Sequence, residues 1–154
     1  MGIGEDIKQS RFRHEWQKGM INLLYTYNWI TYSLRGYLDE YDLSHQQFNV
    51  MRILNGSHPT PLSTQEIRNR MLDKASDASR IVDRLIAKGL VVKRGCDTDK
   101  RLVDVTITDK GRDLVQILID KEDAMIMKMM GNLSEADAHK LNELLDKIRA
   151  GKNN

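Results

Sequence analysis

The sequence predicts a mainly α-helical chain with one small β-ribbon set into its middle third. Three observations predict this. Apolar residues recur at three- and four-residue spacing from residue 16 to 41 and again after residue 108, the signature of helices presenting one stripe. Two Ser-led capping boxes open further helices between residues 44 and 75. Two short runs rich in Val and Ile, LVVKR (90–94) and LVDVTI (102–107), flank the charged stretch GCDTDKR.

The first helix carries apolar side chains at 16, 20, 23, 27, 30, 34, 37 and 41. Tyr25, Trp29 and Tyr32 form a second stripe, so the helix needs two partners. Gly19 and Gly36 each weaken it by about 1 kcal/mol and are expected to mark bends. Ser44-His45-Gln46-Gln47 opens a helix with Phe48, Met51, Ile53 and Leu54, which stops at the loop GSHPTP. Ser63-Thr64-Gln65-Glu66 opens a short helix with Ile67 and Met71, and Leu72-Asp73-Lys74 turns the chain. A third helix, roughly 75 to 88, should bury Ala78, Ile81, Val82, Leu85 and Ile86, with Gly89 ending it and Leu90 packing back. In the second strand Val103, Val105 and Ile107 face one way, Asp104 and Thr106 the other. Thr108 caps a helix running through Leu114, Leu118, Met125 and Met129 to Gly131-Asn132. Ser134 starts a last one with Leu141, Leu144, Leu145 and Ile148, and GKNN reads as a disordered tail.

The organisation expected is a single domain, 1–154, of ordinary composition with 30% charged residues. No apolar run approaches the roughly 18 residues of a membrane span. MGIGEDIKQSRFRHEW has neither the apolar core nor the cleavage site of a signal peptide, and Cys96 is the only cysteine. These features predict a cytoplasmic protein with no membrane partner. Catalysis is not expected: there is no Gly-rich phosphate loop and no nucleophile set beside a base. His14, His45, His58 and His139 are dispersed without metal-ligand spacing, so neither a metal nor a cofactor is predicted.

The net charge of +2 is unevenly spread. From Leu62 to Arg101 there are ten Lys/Arg against six Asp/Glu, while the remainder has fourteen against sixteen. A basic segment built as helix, tight turn, helix, strand, charged loop and strand can lay its second helix in a DNA major groove. On that helix the face opposite the core holds Ser76, Asp77, Ser79, Arg80, Asp83 and Arg84. The ribbon adds Arg94 and, at its tip, Asp99, Lys100 and Arg101. A cation there has no core partner but reaches a minor groove or phosphates, and Asp99 is spaced to orient Arg101.

These same residues resemble the MarR family of winged helix-turn-helix transcription regulators, most clearly in SRIVDRLIAKGLVVKRGCDTDKRLVDVTITDKG (79–111). Leu85 to Leu90 is similar to the family's recognition-helix ending, Asp99-Lys100-Arg101 to its Asp-x-Arg wing signature, and Thr108 to Gly111 to its Thr-x-x-Gly helix start. Lys100 stands where many members carry Arg, and Asp77 puts an acid on the reading face. The resemblance implies a winged helix-turn-helix over 44–110 flanked by dimerisation helices, 7–41 and 111–150. It also implies a homodimer on a pseudo-palindromic double-stranded site, often with release by a small ligand. Tyr25, Trp29 and Tyr32 then read either as interface packing or as walls of a pocket for a small aromatic effector. Cys96 reads as incidental. The competing expectation is a winged helix used only for protein contacts.

Overall fold

The computed structural model describes residues 2–95 and 103–153. It divides into two compact units, Met1–Arg112 and Asp113–Asn154. The first contains α1 (Ile3–Asp6), α2 (Glu15–Asp39), α3 (His45–Ser57), β1 (Leu62–Ser63), α4 (Thr64–Arg70), α5 (Ala78–Ala87), β2 (Val91–Gly95) and β3 (Val103–Ile107). α6 (Asp109–Met130) begins in the first unit and runs into the second, which also holds α7 (Glu135–Arg149) and a 3-10 turn, Ala150–Asn153.

The expected helix starts are present as hydrogen bonds. Ser44 Oγ accepts from Gln47 N at 3.1 Å while Gln47 Oε1 accepts from Ser44 N at 2.9 Å. Ser63 and Glu66 repeat the exchange at α4, and Ser134 and Asp137 at α7. Each box satisfies amides that the first turn of a helix leaves without a carbonyl. α2 runs through Gly19 and Gly36 as one continuous helix.

The core of the first unit is built on α3, whose Phe48, Val50, Met51 and Leu54 are buried. Ile67 and Met71 meet it from α4 and its C-terminal cap, Ala78, Val82 and Leu85 from α5, and Val91, Val105 and Ile107 from the sheet. Tyr37 stands edge-on to Phe48, with ring centroids 6.4 Å apart. Of the face expected to be buried on α5, Ile81 and Ile86 are only half-buried, because they flank the buried line of Ala78, Val82 and Leu85.

The ribbon is joined by a third strand. β3 lies between β1 and β2, both antiparallel to it, with Leu62 opposite Val105 and Lys93 opposite Val105 on the other side. β1 is two residues long, too short to show a period of two, and its sequence reads as the end of a loop. The sheet meets α6 at a close junction. Thr108 Oγ1 accepts from Gly111 N at 3.0 Å and donates to Gly89 O at 2.9 Å. A Cβ on Gly111 would lie 2.2 Å from Leu90 O, so only glycine fits there. A 3-10 turn, Ala150–Asn153, follows α7 where the sequence reads as a disordered tail, and Asn154 lies outside the described residues.

In the second unit, α6 ends at Gly131, where a Cβ would come within 2.4 Å of Met127 O, and Leu133 N closes the turn on Met130 O. No described residue of α7 is buried.

Candidate nucleic-acid interface

α4, the turn 71–77 and α5 place the predicted reading residues. α4 stops because Met71 leaves helical geometry, with φ −62° and ψ 144°. Its N–H still bonds back to Ile67 O and Arg68 O. The turn is then shaped by Asp73, whose carboxylate accepts from Ala75 N at 3.0 Å and from Ser76 Oγ at 2.6 Å. The Ser76 hydroxyl, and then the Ala75 amide, hold the Asp73 carboxyl below the usual carboxylate range.

This clasp corrects the boundary expected for the third helix, α5. Residues 75 to 77 belong to the turn, and α5 begins at Ala78 instead of near 75. Ser76 therefore lies before the helix, with its hydroxyl committed to Asp73. Asp77 is the N-cap, and its Oδ1 accepts from Arg80 N at 3.1 Å. An acid on the reading face is thus explained locally: it satisfies an amide of the first turn and suits the positive end of the helix dipole.

Ser79, Arg80, Asp83 and Arg84 lie on the exposed face of α5, opposite Val82 and Leu85. Lys93 of β2 reaches Asp83 at 3.4 Å, tying the ribbon to the helix. Arg80, Arg84 and Arg94 make no ion pair among the described residues and are exposed. A helix face with two such guanidinium groups is electrostatically suited to a polyanion. At its other end α5 closes on Gly89, with φ 70°, and Leu90 N returns to Leu85 O at 3.0 Å. Lys88 Nζ meets Asp42 Oδ2 at 2.8 Å, linking this end to the α2–α3 connection. Asp99, Lys100 and Arg101, together with Cys96, lie outside the described residues.

Sequence reading misses part of this surface. Thr64, Gln65 and Arg68 of α4 share a notch of about 490 Å³ with Ser76, Asp77 and Ser79. The signal is present: a capping box fixes where α4 starts, and Gln65 and Arg68 follow at the spacing of one exposed face. Asn49 of α3 is also missed. Its Oδ1 accepts from Leu72 N at 3.0 Å, and nothing local in the sequence announces a partner 23 residues away.

The proposed effector residues are placed differently. Tyr25, Trp29 and Tyr32 are 44%, 47% and 81% exposed. A cleft of about 790 Å³ in the first unit is lined by Tyr27, Thr31, Arg35, Asp42, Arg84 and Lys88 among others, and by none of those three. Among the described residues there is no cluster fit to hold a metal, and no helix is long and apolar enough to cross a membrane.

Residues 41–102 match the model of the MarR family. The chain is 27% identical to the HTH-type transcriptional regulator MhqR of Bacillus subtilis over 131 residues, covering 85% of this chain and 89% of that protein. It superposes on the crystal structure of a MarR transcription factor from Planctomyces limnophilus with a TM-score of 0.69 and 29% identity, covering 88% of this chain and 98% of that one. The structure of the S. aureus MepR–DNA complex has the same fold, with a TM-score of 0.72 at 19% identity over 82% of this chain and 96% of that one. The relatives are transcription regulators, not enzymes.

Proposed function

Residues 41–102 are a MarR-family segment, and from that premise we propose that the chain is a sequence-specific, double-stranded DNA-binding transcription regulator. The observation that carries this reading is the exposed face of α5, where Arg80 and Arg84 stand without ion pairs among the described residues, beside a capped helix start. The N-terminal half of α5 enters the major groove, and Arg94, Lys100 and Arg101 of the ribbon approach the flanking backbone or minor groove, with Asp99 orienting Arg101. MepR, which shares the fold, is described in complex with DNA. The chain acts as a homodimer through 7–41 and 111–150, so that two reading helices about 34 Å apart meet a pseudo-palindromic operator. The proposed sign of regulation is repression, in which the dimer occupies a promoter and excludes other proteins from it.

The test is a shift assay on the DNA beside its own gene, at several salt concentrations. Arg80→Ala/Arg84→Ala and Arg101→Ala should each weaken operator binding. The log–log salt slope should fall by about 0.9 for every phosphate that the variant no longer neutralises. Folded variants with wild-type affinity and slope would remove those residues from the interface. A wild-type protein that binds no DNA would leave a winged helix used for protein contacts.

Regulation by a small aromatic molecule at Tyr25, Trp29 and Tyr32 belongs to the same proposal. What supports it is three aromatic rings left accessible along one helix, whose faces can stack on a flat ligand. A ligand there that lowers DNA affinity tenfold must prefer the incompetent state by about 1.4 kcal/mol. It should quench Trp29 emission, read in Trp16→Phe, at the concentration that releases DNA. Release with no change in that emission places the effector elsewhere.

A further inference from the structure

The turn that precedes the reading helix is held to the rest of the fold by few contacts, and their chemistry is uneven. Met71 anchors its start by burial, at 1% exposure. Leu72 follows with its side chain 76% exposed, so apolar packing does not fix it. From Asp73 onward the polar bonds are local. Asp73 bonds Ala75 and Ser76, Lys74 Nζ donates to Asn69 O at the end of α4, and Asp77 caps α5. These bonds give the turn a shape but do not locate it against the core.

Leu72 N is the first amide beyond α4 that does not return to a helix carbonyl, and its acceptor is Asn49 Oδ1 at 3.0 Å. Asn49 lies on α3 between Phe48 and Val50, which are 1% and 0% exposed. Its backbone is therefore among the best-fixed points of the first unit. Among the described residues this is the polar bond that ties the turn to α3.

We infer that Asn49 is a positioning residue for DNA reading: its Oδ1 locates the turn through Leu72 N and so sets where the Asp77-capped start of α5 stands. The inference rests on the DNA-binding reading above, but concerns a residue that touches no DNA. Without the acceptor, the turn keeps its Asp73 clasp, α5 keeps its cap and its packing through Val82 and Leu85, and the shift is confined to the turn and the first turn of α5. Contacts that need register, those of Ser79 and Arg80 with bases, suffer. Contacts that need only charge survive, because phosphate attraction tolerates small displacements.

The experiment compares wild type, Asn49→Ala and Asn49→Asp, the last keeping an acceptor of the same reach. Two quantities are read: hydrogen exchange of the Leu72 amide, and the ratio of operator affinity to bulk-DNA affinity at fixed salt. The wild type and Asn49→Asp should protect Leu72 N–H, and Asn49→Ala should not. The ratio should fall about tenfold in Asn49→Ala, roughly what one mismatched base pair costs, with bulk-DNA affinity and salt slope unchanged. In Asn49→Asp both affinities drop together through the added charge, and the ratio stays near the wild-type value.

A folded Asn49→Ala with the wild-type ratio overturns the inference and leaves the DNA reading standing. A wild-type protein with no operator preference overturns both. Should Asn49→Ala not fold, Leu72 exchange in the wild type decides: an unprotected amide there means the pin does not exist.

Discussion

α3 and the first half of α2 have the same apolar spacing and opposite fates. In α3 that spacing is spent inside the fold: Phe48, Val50, Met51 and Leu54 are all at 1% exposure or less. In α2 the buried residues are Leu34 and Leu38, both in its last turns. Upstream, Trp16, Met20, Leu24 and Tyr27 keep 57% to 84% of their surface. Periodicity reports that a face is apolar and says nothing of what covers it. A single exposed leucine is ordinary, but a helix exposing large apolar side chains over about three turns marks an interaction surface. The proposed dimer supplies a partner for it, since a symmetric partner brings the same face a second time.

A matched pair of leucine truncations sharpens the contrast. Leu85→Ala removes a side chain at 0% exposure on α5 and should cost about 2–5 kcal/mol, with association on dilution unchanged from wild type. Leu24→Ala removes the same atoms at 57% exposure. If a second copy covers α2, its cost is expressed in association: sedimentation should move from about twice the 17.8 kDa chain mass toward the chain mass on dilution. Leu24→Ala that changes neither association nor stability would show that α2 is not the covered face. A concentration-independent loss as large as that of Leu85 would mean that α2 is buried within its own chain.

The two helices also show what is legible in the sequence and why the rest is not. Local signals come through: the boxes at Ser44, Ser63 and Ser134, the Leu90-to-Leu85 bond that closes the stop at Gly89, and the bond from Gly111 N to the Thr108 cap each span five residues or fewer. The error at α5 is local as well, but ambiguous. Ala75, Ser76 and Asp77 are compatible with a first helical turn, and only the Asp73 clasp makes them a turn instead. β1 and the Asn49–Leu72 bond are illegible for another reason. Each depends on a partner 23 or more residues away, and that partner is set by the packing of α3 against α4 and β3. The exposed face of α5 is legible because a capped helix with one apolar line leaves its opposite side determined, as the positions of Arg80 and Arg84 show.

The smallest expected effect tests whether the turn differs from both helices in being held by charge-assisted bonds instead of burial. The Asp73 carboxyl, held below its usual value of 3.8 by Ser76 and Ala75, titrates lower in the folded chain than in the unfolded one. By linkage its contribution is fully present above the unfolded value and is lost as pH falls through the lower folded value, that is, in acid below about pH 4. Asp73→Asn retains one acceptor oxygen and replaces the other with a donor, so it cannot accept from both Ala75 N and Ser76 Oγ as the carboxylate does. It should therefore melt slightly below wild type at pH 7. The gap should close as the pH is lowered toward 3, because the protonated wild-type side chain no longer makes the same charge-assisted bonds. Differential scanning calorimetry at both pH values reads this directly. A gap that is constant with pH would mean that Asp73 shapes the turn by its geometry alone, its charge contributing nothing to the hold on the reading helix.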